Sequence, residues 1–153
     1  MKTFKIGVTI AAVMLASSLS TSTLVQYPKD KANQKELACL AKNIYHEARG
    51  EPIAGQIAVA QVTVNRVRSQ EFQNTICEVV YANKQFSWTA SQTKKIMDSK
   101  AWNTSLIIAE AVLTKQTLLP NFKALYFHTK QVNPRWNRKK HIVAKIGNHI
   151  FYA

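Results

Sequence analysis

Glycine, proline and cysteine are scarce in this sequence of 153 residues. Gly and Pro occur four times each and Cys twice, and the chain has no internal repeat or low-complexity tract. This composition excludes a fibrous or linker-rich protein, and two cysteines alone cannot form a structural zinc site. Because 46% of the residues are apolar and only 19% are charged, the chain is expected to form one globular domain with a sizeable core.

Acidic residues are also scarce. Asp and Glu number 8 against 21 Lys and Arg, which gives a formal net charge of +13 and a pI near 10.0. The last acidic residue is Glu110, and the rest of the chain contains eight basic residues and no acidic one. Such a field attracts polyanions, which include nucleic acid, anionic lipid and anionic cell-wall polymer. The one-signed C-terminal stretch therefore predicts a surface that faces a polyanion.

The N-terminal segment has the three parts of a secretory signal. Two lysines precede an uncharged run at residues 6–19, and a short tract of Ser and Thr follows. The run is too short to cross a membrane comfortably as a permanent helix. Residues 1–22 are therefore predicted to be a signal peptide or signal-like export segment, residues 23–36 a flexible lead-in, and residues 37–153 the folded domain. Export to the periplasm or cell envelope disfavours intracellular nucleic acid as the polyanion.

The two cysteines, Cys39 and Cys77, suggest one disulfide in an oxidising compartment. The bridge would close a loop of about 38 residues. On a helical wheel Cys39 lies about 160° from the centre of the apolar stripe of its helix, a poor position for a thiol in the core. The sequence therefore favours a disulfide, with two free buried thiols as the alternative.

Hydrophobic periodicity predicts a mostly helical domain. The expected helices span residues 34–49, 53–68, 92–98 and 103–115, and the expected extended runs span residues 124–129 and 142–152. The first helix is expected to end in a left-handed cap at Gly50, since Pro52 forbids its continuation. The second helix is apolar nearly all round, as is typical of a helix at the centre of a domain. The fold class is therefore α+β, with the two extended runs forming a C-terminal β-hairpin.

Glu47 has the greatest chemical interest in the first helix. It lies about 20° beyond Leu40 on the wheel, at the edge of the apolar face, whereas His46 points away from that face toward solvent. Loss of hydration favours the protonated form of a carboxyl group, and a Glu that stays protonated near neutral pH can act as a general acid. On spacing alone, an ordinary hydrated carboxylate on the flank of a helix explains Glu47 better.

Seven short motifs carry a resemblance to a known family. They are IYHEARGEP at residues 44–52, GQ at 55–56, VTVNRV at 62–67, CEVV at 77–80, QFSW at 85–88, ALYFH at 124–128 and IGNHIFY at 146–152. In order and content they resemble the cell wall hydrolase family of spore cortex-lytic enzymes. The resemblance implies a lysozyme-like fold, a catalytic domain at residues 37–153 that cleaves the glycan strands of peptidoglycan, and Glu47 at the position of the family's catalytic acid.

The resemblance favours a lytic transglycosylase, which needs a single acid. In this reaction one Glu protonates the glycosidic oxygen and then takes a proton from the sugar's own 6-hydroxyl, which leaves a 1,6-anhydro end. A hydrolytic muramidase is the alternative, and it requires a second carboxylate at a set separation. The candidates for that carboxylate, none of them marked by spacing, are Glu51, Glu71, Glu78, Asp98 and Glu110. Glu51 fits better as a residue that orders the junction between the first two helices.

Other residues of the motifs are candidates for sugar contacts, because aromatic rings stack on pyranose faces and amides bond to hydroxyl groups. These candidates are Gln85, Phe86, Ser87, Trp88, Tyr126 and His128. Tyr126 and His128 alternate to one side of their predicted strand. Phe86 and Trp88 fit equally well as residues of the core.

Metal chemistry has little support in the sequence. The four histidines include no pair at i, i+4 and no H-E-x-x-H motif, so no metal and no cofactor is expected. A metal-dependent stem-peptide amidase is the runner-up enzyme, and a non-catalytic secreted basic module that binds wall polymer or DNA is the alternative without catalysis. The expected protein is a monomer that acts on peptidoglycan and binds anionic cell-wall polymer, in a bacterium or as a phage lysin.

Overall fold

In the part of the chain that the structure describes, four helices come first and a small sheet follows. The computed structural model describes residues 30–90 and 95–153. Its elements are α1 (Lys31–Ala48), α2 (Ile53–Arg68), α3 (Ile76–Tyr81), α4 (Ser99–Leu113), β1 (Tyr126–Thr129), β2 (Ile142–Ile146) and β3 (His149–Tyr152), with 3₁₀ turns at Ser87–Ala90 and Arg135–Lys139. The expected α+β class is confirmed. The predicted export segment at residues 1–22 lies outside the described residues, and none of the described helices has the length and apolar character needed to cross a membrane.

Helix α1 begins earlier than its periodicity predicts. The flexible lead-in assigned to residues 23–36 is wrong for residues 31–36, which are helical, and residues 31–33 precede the helix start predicted at residue 34. The side chain of Asp30 caps this end by accepting a hydrogen bond from a backbone N–H of the first turn at 3.0 Å. Glu36 Oε2 accepts from Ile76 N at 2.6 Å and from Cys77 N at 3.3 Å, which ties the start of α1 to the start of α3. Periodicity does not predict residues 31–33 because they are exposed, and a polar cap rather than an apolar stripe begins the helix.

Helix α1 lies at the centre of the core because α2, α3 and α4 all pack against it. Leu40 and Ile44 are fully buried. Cys39 is also buried, and it forms the predicted disulfide with Cys77 of α3. The wheel placed Cys39 outside the core. That prediction is wrong, because a helix packed on several flanks is not described by a single apolar stripe.

Helix α2 has its predicted limits and is buried nearly all round, as expected. Its first turn is an exception, since Ile53 is 54% exposed. Farther along the helix, Asn65 Nδ2 donates to Phe122 O at 2.9 Å and to Ala124 O at 3.1 Å. These bonds to the backbone that precedes β1 fix the position of the strand against α2.

The C-terminal sheet has three antiparallel strands in the order β1-β3-β2, rather than the two strands of the expected hairpin. β3 lies in the centre, with Tyr152 opposite Tyr126 of β1. The predicted run at residues 142–152 is two strands, because Gly147 takes a φ of +56° and the chain turns back there. Gly followed by Asn148 is a turn signal within this otherwise strand-like run.

The segment before α4 also differs from its prediction. The expected helix at residues 92–98 begins among residues outside the described part of the chain, and residues 95–98 have no regular structure. Their backbone is held instead by the hydroxyl group of Tyr45, which accepts from Met97 N and Asp98 N at 3.0 Å. The side chain of Asp98 caps α4, which therefore begins at residue 99 and not at 103.

The junction between α1 and α2 is a tight turn tied to the sheet. Gly50 does not take the predicted left-handed conformation, because Arg49 stays right-handed and Glu51 N closes the turn on Ala48 O at 2.9 Å. The side chain of Glu51 reaches the turn between β2 and β3. There Oε2 accepts from Asn148 N at 2.8 Å and Oε1 accepts from Asn148 Nδ2 at 3.1 Å.

Replacing Gly147 by Ala is expected to lower the unfolding free energy by about 3 kcal/mol. A left-handed φ costs an L-residue about 1–2 kcal/mol. The added Cβ also overlaps Glu51 Oε2 and lies 2.9 Å from Pro52 Cδ, which disrupts the bonds of Glu51 to the turn. Urea unfolding measures the loss. Gly50→Ala is the matched control, since nothing lies within 4 Å of its added Cβ, and equal stability of the two variants would contradict the prediction.

His149 is buried close to the same turn, with Nδ1 at 3.9 Å from Glu51 Oε2. Burial lowers the pKa of His149 below its ordinary value of 6.5, the charge of Glu51 opposes this shift, and His128 adds to it. The unfolded chain therefore binds the proton of this imidazole more tightly than the folded chain does.

The unfolding free energy is expected to decrease as the pH falls below the unfolded pKa of His149, because protonation then favours the unfolded state. Thermal melts from neutral to mildly acidic pH measure this dependence. His149→Gln cannot titrate and should flatten it, whereas His141→Gln, at an exposed position, should leave it as in the wild type. The same pH dependence in His149→Gln as in the wild type would overturn the prediction.

Candidate active site

A cleft of about 280 Å³ opens where the ends of α1 and α2 meet strand β1. The remaining wall comes from the loop after α3 and from the turn before β2. The wall residues are Glu47, Arg66, Lys84, Gln85, Phe86, Ser87, Tyr126, Phe127 and Trp136. Carboxylate, cationic, amide, hydroxyl and aromatic groups therefore share one small cavity.

Glu47 lies in the last turn of α1 and is half-buried at the wall of the cleft. The next residue, Ala48, is buried in the part of the core that α2 and the sheet share. Because the helix continues through this residue, its geometry fixes the direction in which the Glu47 side chain leaves the backbone.

Arg66 of α2 is the cation beside Glu47, and it is only 4% exposed. Its Nε donates to Leu125 O at 2.7 Å, and its guanidinium carbon lies 5.2 Å and 5.6 Å from the ring centres of Phe72 and Phe86. Burial lowers the pKa of Arg66 to about 10, while interactions with Tyr126 and Glu47 oppose the shift. The sequence analysis overlooked Arg66. The sequence signal for a functional Arg66 is its position as a cation in the last turn of a helix that is otherwise apolar nearly all round.

Four of the six candidates for sugar contacts line the cleft, namely Gln85, Phe86, Ser87 and Tyr126. Trp88 does not. It is buried, and its ring stacks on that of His46 with 4.5 Å between centroids. His46 is consequently half-buried and does not point into solvent as the wheel predicted.

His128 also lies outside the wall of the cleft. Its Nε2 is 2.8 Å from the hydroxyl oxygen of Tyr152, and its Nδ1 is 2.8 Å from Thr129 O. The alternation along β1 puts Tyr126 and His128 on the same side, but Trp136 lies against both rings, at 5.7 Å from Tyr126 and 5.6 Å from His128. Tyr126 therefore lines the cleft, whereas His128 lies on the far side of Trp136, outside the wall of the cleft.

Trp136 is a wall residue that the sequence analysis missed, together with Lys84 and Phe127. It belongs to the 3₁₀ turn in the polar loop between the two predicted runs, and it is 37% exposed. A tryptophan in a basic, polar loop has no apolar neighbours in the sequence with which to form a core. Its position among polar residues is the sequence signal that it lies at a binding surface.

Glu51 lies away from the cleft, with its carboxylate bound to Asn148. Glu71 touches the cleft indirectly, since Tyr126 donates its hydroxyl proton to Glu71 Oε2 at 2.9 Å. Within residues 30–90 and 95–153, Glu47 is the one carboxylate among the wall residues. In the same described residues, no group of three or more His, Cys, Asp or Glu side chains is placed to hold a metal ion.

The profile of the Cell Wall Hydrolase family matches residues 50–152. The chain belongs to the cell wall hydrolase family. The resemblance carried by the seven motifs is thereby confirmed. The match begins just after Glu47, so the role of this residue rests on the geometry of the cleft and on the motif that contains it.

The relatives of this cell wall hydrolase include two spore cortex-lytic enzymes. The enzyme from Bacillus cereus is 32% identical over 120 residues, which cover 78% of this chain and 44% of the relative. The enzyme from Oceanobacillus iheyensis is 33% identical over 122 residues, which cover 78% of this chain and 42% of the relative. The chain thus spans less than half the length of these relatives.

Two solved structures resemble this cell wall hydrolase. The catalytic domain of the Bacillus cereus SleB protein has a TM-score of 0.63 and 29% identity, with 90% of this chain and 100% of that chain covered. The catalytic domain of the germination-specific lytic transglycosylase SleB from Bacillus anthracis has a TM-score of 0.65 and 30% identity, with 78% and 95% covered. The hydrolase therefore has the fold of the SleB catalytic domains.

Proposed function

We propose that this cell wall hydrolase is a lytic transglycosylase that cleaves the glycan strands of peptidoglycan, with Glu47 as its general acid and base. The observation that carries the proposal is the cleft, where Glu47 is the one carboxylate among the wall residues of the described chain. A hydrolase that uses two carboxylates needs one on each side of the scissile bond. The likeness to the Bacillus anthracis lytic transglycosylase supports the same reaction class here.

The reaction balances with one carboxyl group. Protonated Glu47 donates its proton to the glycosidic oxygen while the bond from that oxygen to the anomeric carbon breaks, so the leaving sugar departs with a free hydroxyl group. The electron-poor anomeric carbon then accepts an electron pair from the 6-hydroxyl oxygen of its own sugar. Ionised Glu47 takes the proton of that hydroxyl. This step closes the 1,6-anhydro ring and restores the carboxylic acid, and no water is consumed.

The other wall residues supply contacts for a sugar. The rings of Phe86, Tyr126 and Trp136 offer apolar faces on which a pyranose can stack. Gln85 and Ser87 offer amide and hydroxyl groups that bond to sugar hydroxyls. A sugar held against these groups displaces water from the anomeric carbon, which favours attack by the 6-hydroxyl.

Mass spectrometry of the muropeptides released from purified sacculi tests the proposal. The expected products carry 1,6-anhydro ends, and they are one water lighter than the products of hydrolysis. Reducing ends labelled in heavy-oxygen water would identify a hydrolytic muramidase instead, and cut stem peptides would identify an amidase. Binding of sacculi without release of any product would identify a non-catalytic wall-binding module.

We also propose that the protein is exported, with residues 1–22 as the export segment, and that it acts as a monomer in the cell envelope. Most of the basic residues that follow Glu110 are exposed, and no acidic residue follows Glu110 in the sequence, which supports an envelope partner. Those exposed on and around the sheet are Lys123, Lys130, Arg135, Arg138, Lys139 and Lys145. Such a surface suits an anionic wall polymer. Recovery of the protein only from the cytoplasm would contradict export.

Binding to sacculi is expected to weaken as salt is added, since exposed charges are screened beyond about 8 Å at physiological ionic strength. The variant Arg138→Gln/Lys139→Gln should bind more weakly and respond less to salt. The control variant Lys31→Gln/Lys35→Gln removes two exposed charges from the start of α1 and should change binding less. Co-sedimentation with sacculi measures both effects. Salt-independent binding would indicate aromatic stacking rather than charge as the main contribution.

A further inference from the structure

We propose that Arg66 is the positioning residue for Glu47: its buried guanidinium holds the carboxylate at the wall of the cleft and stabilises the ionised form that the first proton transfer produces. The inference rests on the proposed function, in which Glu47 alternates between acid and base. It gives Arg66 a part in the reaction in addition to its part in the fold.

The placement of Arg66 supports this role. Arg66 and Glu47 come from different helices, and both line the same cleft. The guanidinium is fixed at one end, where Nε donates to Leu125 O, and aromatic rings lie over it. Its Nη1 is buried and has no hydrogen-bond partner among the residues that the structure describes. A desolvated cation of this kind needs a nearby negative charge.

Glu47 is the carboxylate that supplies this charge, since it interacts with Arg66 in the direction that favours the guanidinium. Arginine suits the position because its planar fork can bond to a backbone carbonyl through Nε and leave its other nitrogens for a carboxylate. A lysine ammonium is a single point charge and cannot hold both groups in fixed directions.

Titratable groups come from every element around the cleft of Glu47. They are Arg66 from α2, Lys84 from the loop after α3, Tyr126 from β1 with Glu71 bonded to its hydroxyl, and Lys140 from the turn before β2, with Nζ 3.5 Å from the centre of the Tyr126 ring. Lys84 is exposed, so water screens its charge. Arg66 is buried, so its attraction for the carboxylate is screened least.

The sign of the effect on catalysis follows from the two states of Glu47. The reaction begins with the protonated form, so activity falls at alkaline pH as Glu47 ionises. Arg66 favours the ionised form. Removal of its charge should therefore move the alkaline limb of the pH profile to higher pH. It should also slow turnover, because the carboxylate formed after the first proton transfer is no longer stabilised.

The pH profile of turnover on soluble glycan fragments tests this role with Arg66→Met, Arg66→Lys and Lys84→Met. Arg66→Met should lower turnover by at least about tenfold and move the alkaline limb up by about one pH unit. Arg66→Lys should return the limb toward the wild-type position while turnover stays reduced. Lys84→Met removes an exposed cation from the same wall and should move the limb less. A folded Arg66→Met protein with an unchanged alkaline limb would overturn the proposal.

If Arg66→Met does not fold, thermal melts of the wild type and Glu47→Gln decide the question. The advantage in melting temperature of the wild type over Glu47→Gln should grow as the pH rises and Glu47 ionises, and it should vanish as the pH falls and Glu47 becomes protonated. A difference in melting temperature that does not change with pH would overturn the proposal. The melts need no catalysis. If no cleaved muropeptides were found, the proposed function would be contradicted, and the melts would still test whether Arg66 stabilises ionised Glu47.

Discussion

Glu47→Gln is expected to reduce the lysis of purified sacculi by at least about 10³-fold in a protein that stays folded. Gln keeps the shape of the side chain and removes the proton that the reaction transfers. Loss of general acid catalysis alone typically costs about 10²- to 10⁴-fold. Because the proposed mechanism also uses Glu47 as the base that accepts the proton of the 6-hydroxyl, the loss of activity should fall in the upper part of this range.

Turbidity clearance of sacculi measures this loss, and circular dichroism verifies the fold of each variant. Glu51→Gln is the matched control, since it neutralises a neighbouring carboxylate that is bound to Asn148 and lies outside the cleft. We expect it to lower the melting temperature, because the bonds of Asn148 lose a charged acceptor, and to lyse sacculi nearly as well as the wild type below that temperature. An active Glu47→Gln with an inactive, folded Glu51→Gln would assign the catalytic acid to Glu51.

Loss of the disulfide between Cys39 and Cys77 is expected to lower the unfolding free energy by about 4 kcal/mol. The bridge joins α1 to α3 across a sequence separation of 38 residues. A crosslink of this span lowers the conformational entropy of the unfolded chain and so stabilises the folded state. Reduction of the disulfide removes this stabilisation. For a domain of this size the loss is a large share of the total stability.

Urea unfolding with and without a reductant measures the contribution of the disulfide. The variant Cys39→Ala/Cys77→Ala should match the reduced wild type closely, and its stability should not respond to the reductant. Mass analysis without reductant should show the loss of two hydrogens from the wild type. Two alkylatable thiols in the protein purified without reductant, or equal stability of its oxidised and reduced forms, would contradict the prediction.

Local sequence patterns predicted most of the helices well. The limits of α2 were correct because a long apolar segment begins directly after Pro52 and ends at Arg68. Periodicity places the start of α1 at residue 34 rather than 31, because residues 31–33 are exposed and are held by the cap at Asp30. Periodicity reports apolar burial along one segment, and it contains no information about a polar cap.

The sheet shows the same limit. Its strand-forming residues are recognisable in the sequence, but the pattern predicts one extended run at residues 142–152 because Gly147 and Asn148 are only two residues among many strand formers. The order β1-β3-β2 depends on how distant segments pair. Loop lengths and turn chemistry alone do not specify that order.

The candidate site divides in a similar way. Glu47 was singled out before the structure was considered, through its position at the edge of an apolar face and through the motif that contains it. Arg66 and Trp136 were missed, since each residue type is ordinarily exposed at such positions. Their places in the cleft depend on Phe72, Phe86 and Tyr126, which come from other segments.

The sequence by itself determined the class of the fold, the limits of α2, the pairing of the only two cysteines and the membership of the family, because periodicity, composition and short motifs are properties of neighbouring residues. The tertiary structure decided which polar groups are buried and which charges meet. Glu51 binds the backbone of a residue 97 positions away, and Arg66 becomes a buried partner of Glu47 only when α1, α2 and β1 pack together. Desolvation and charge pairing act through space, so only the packed chain determines them.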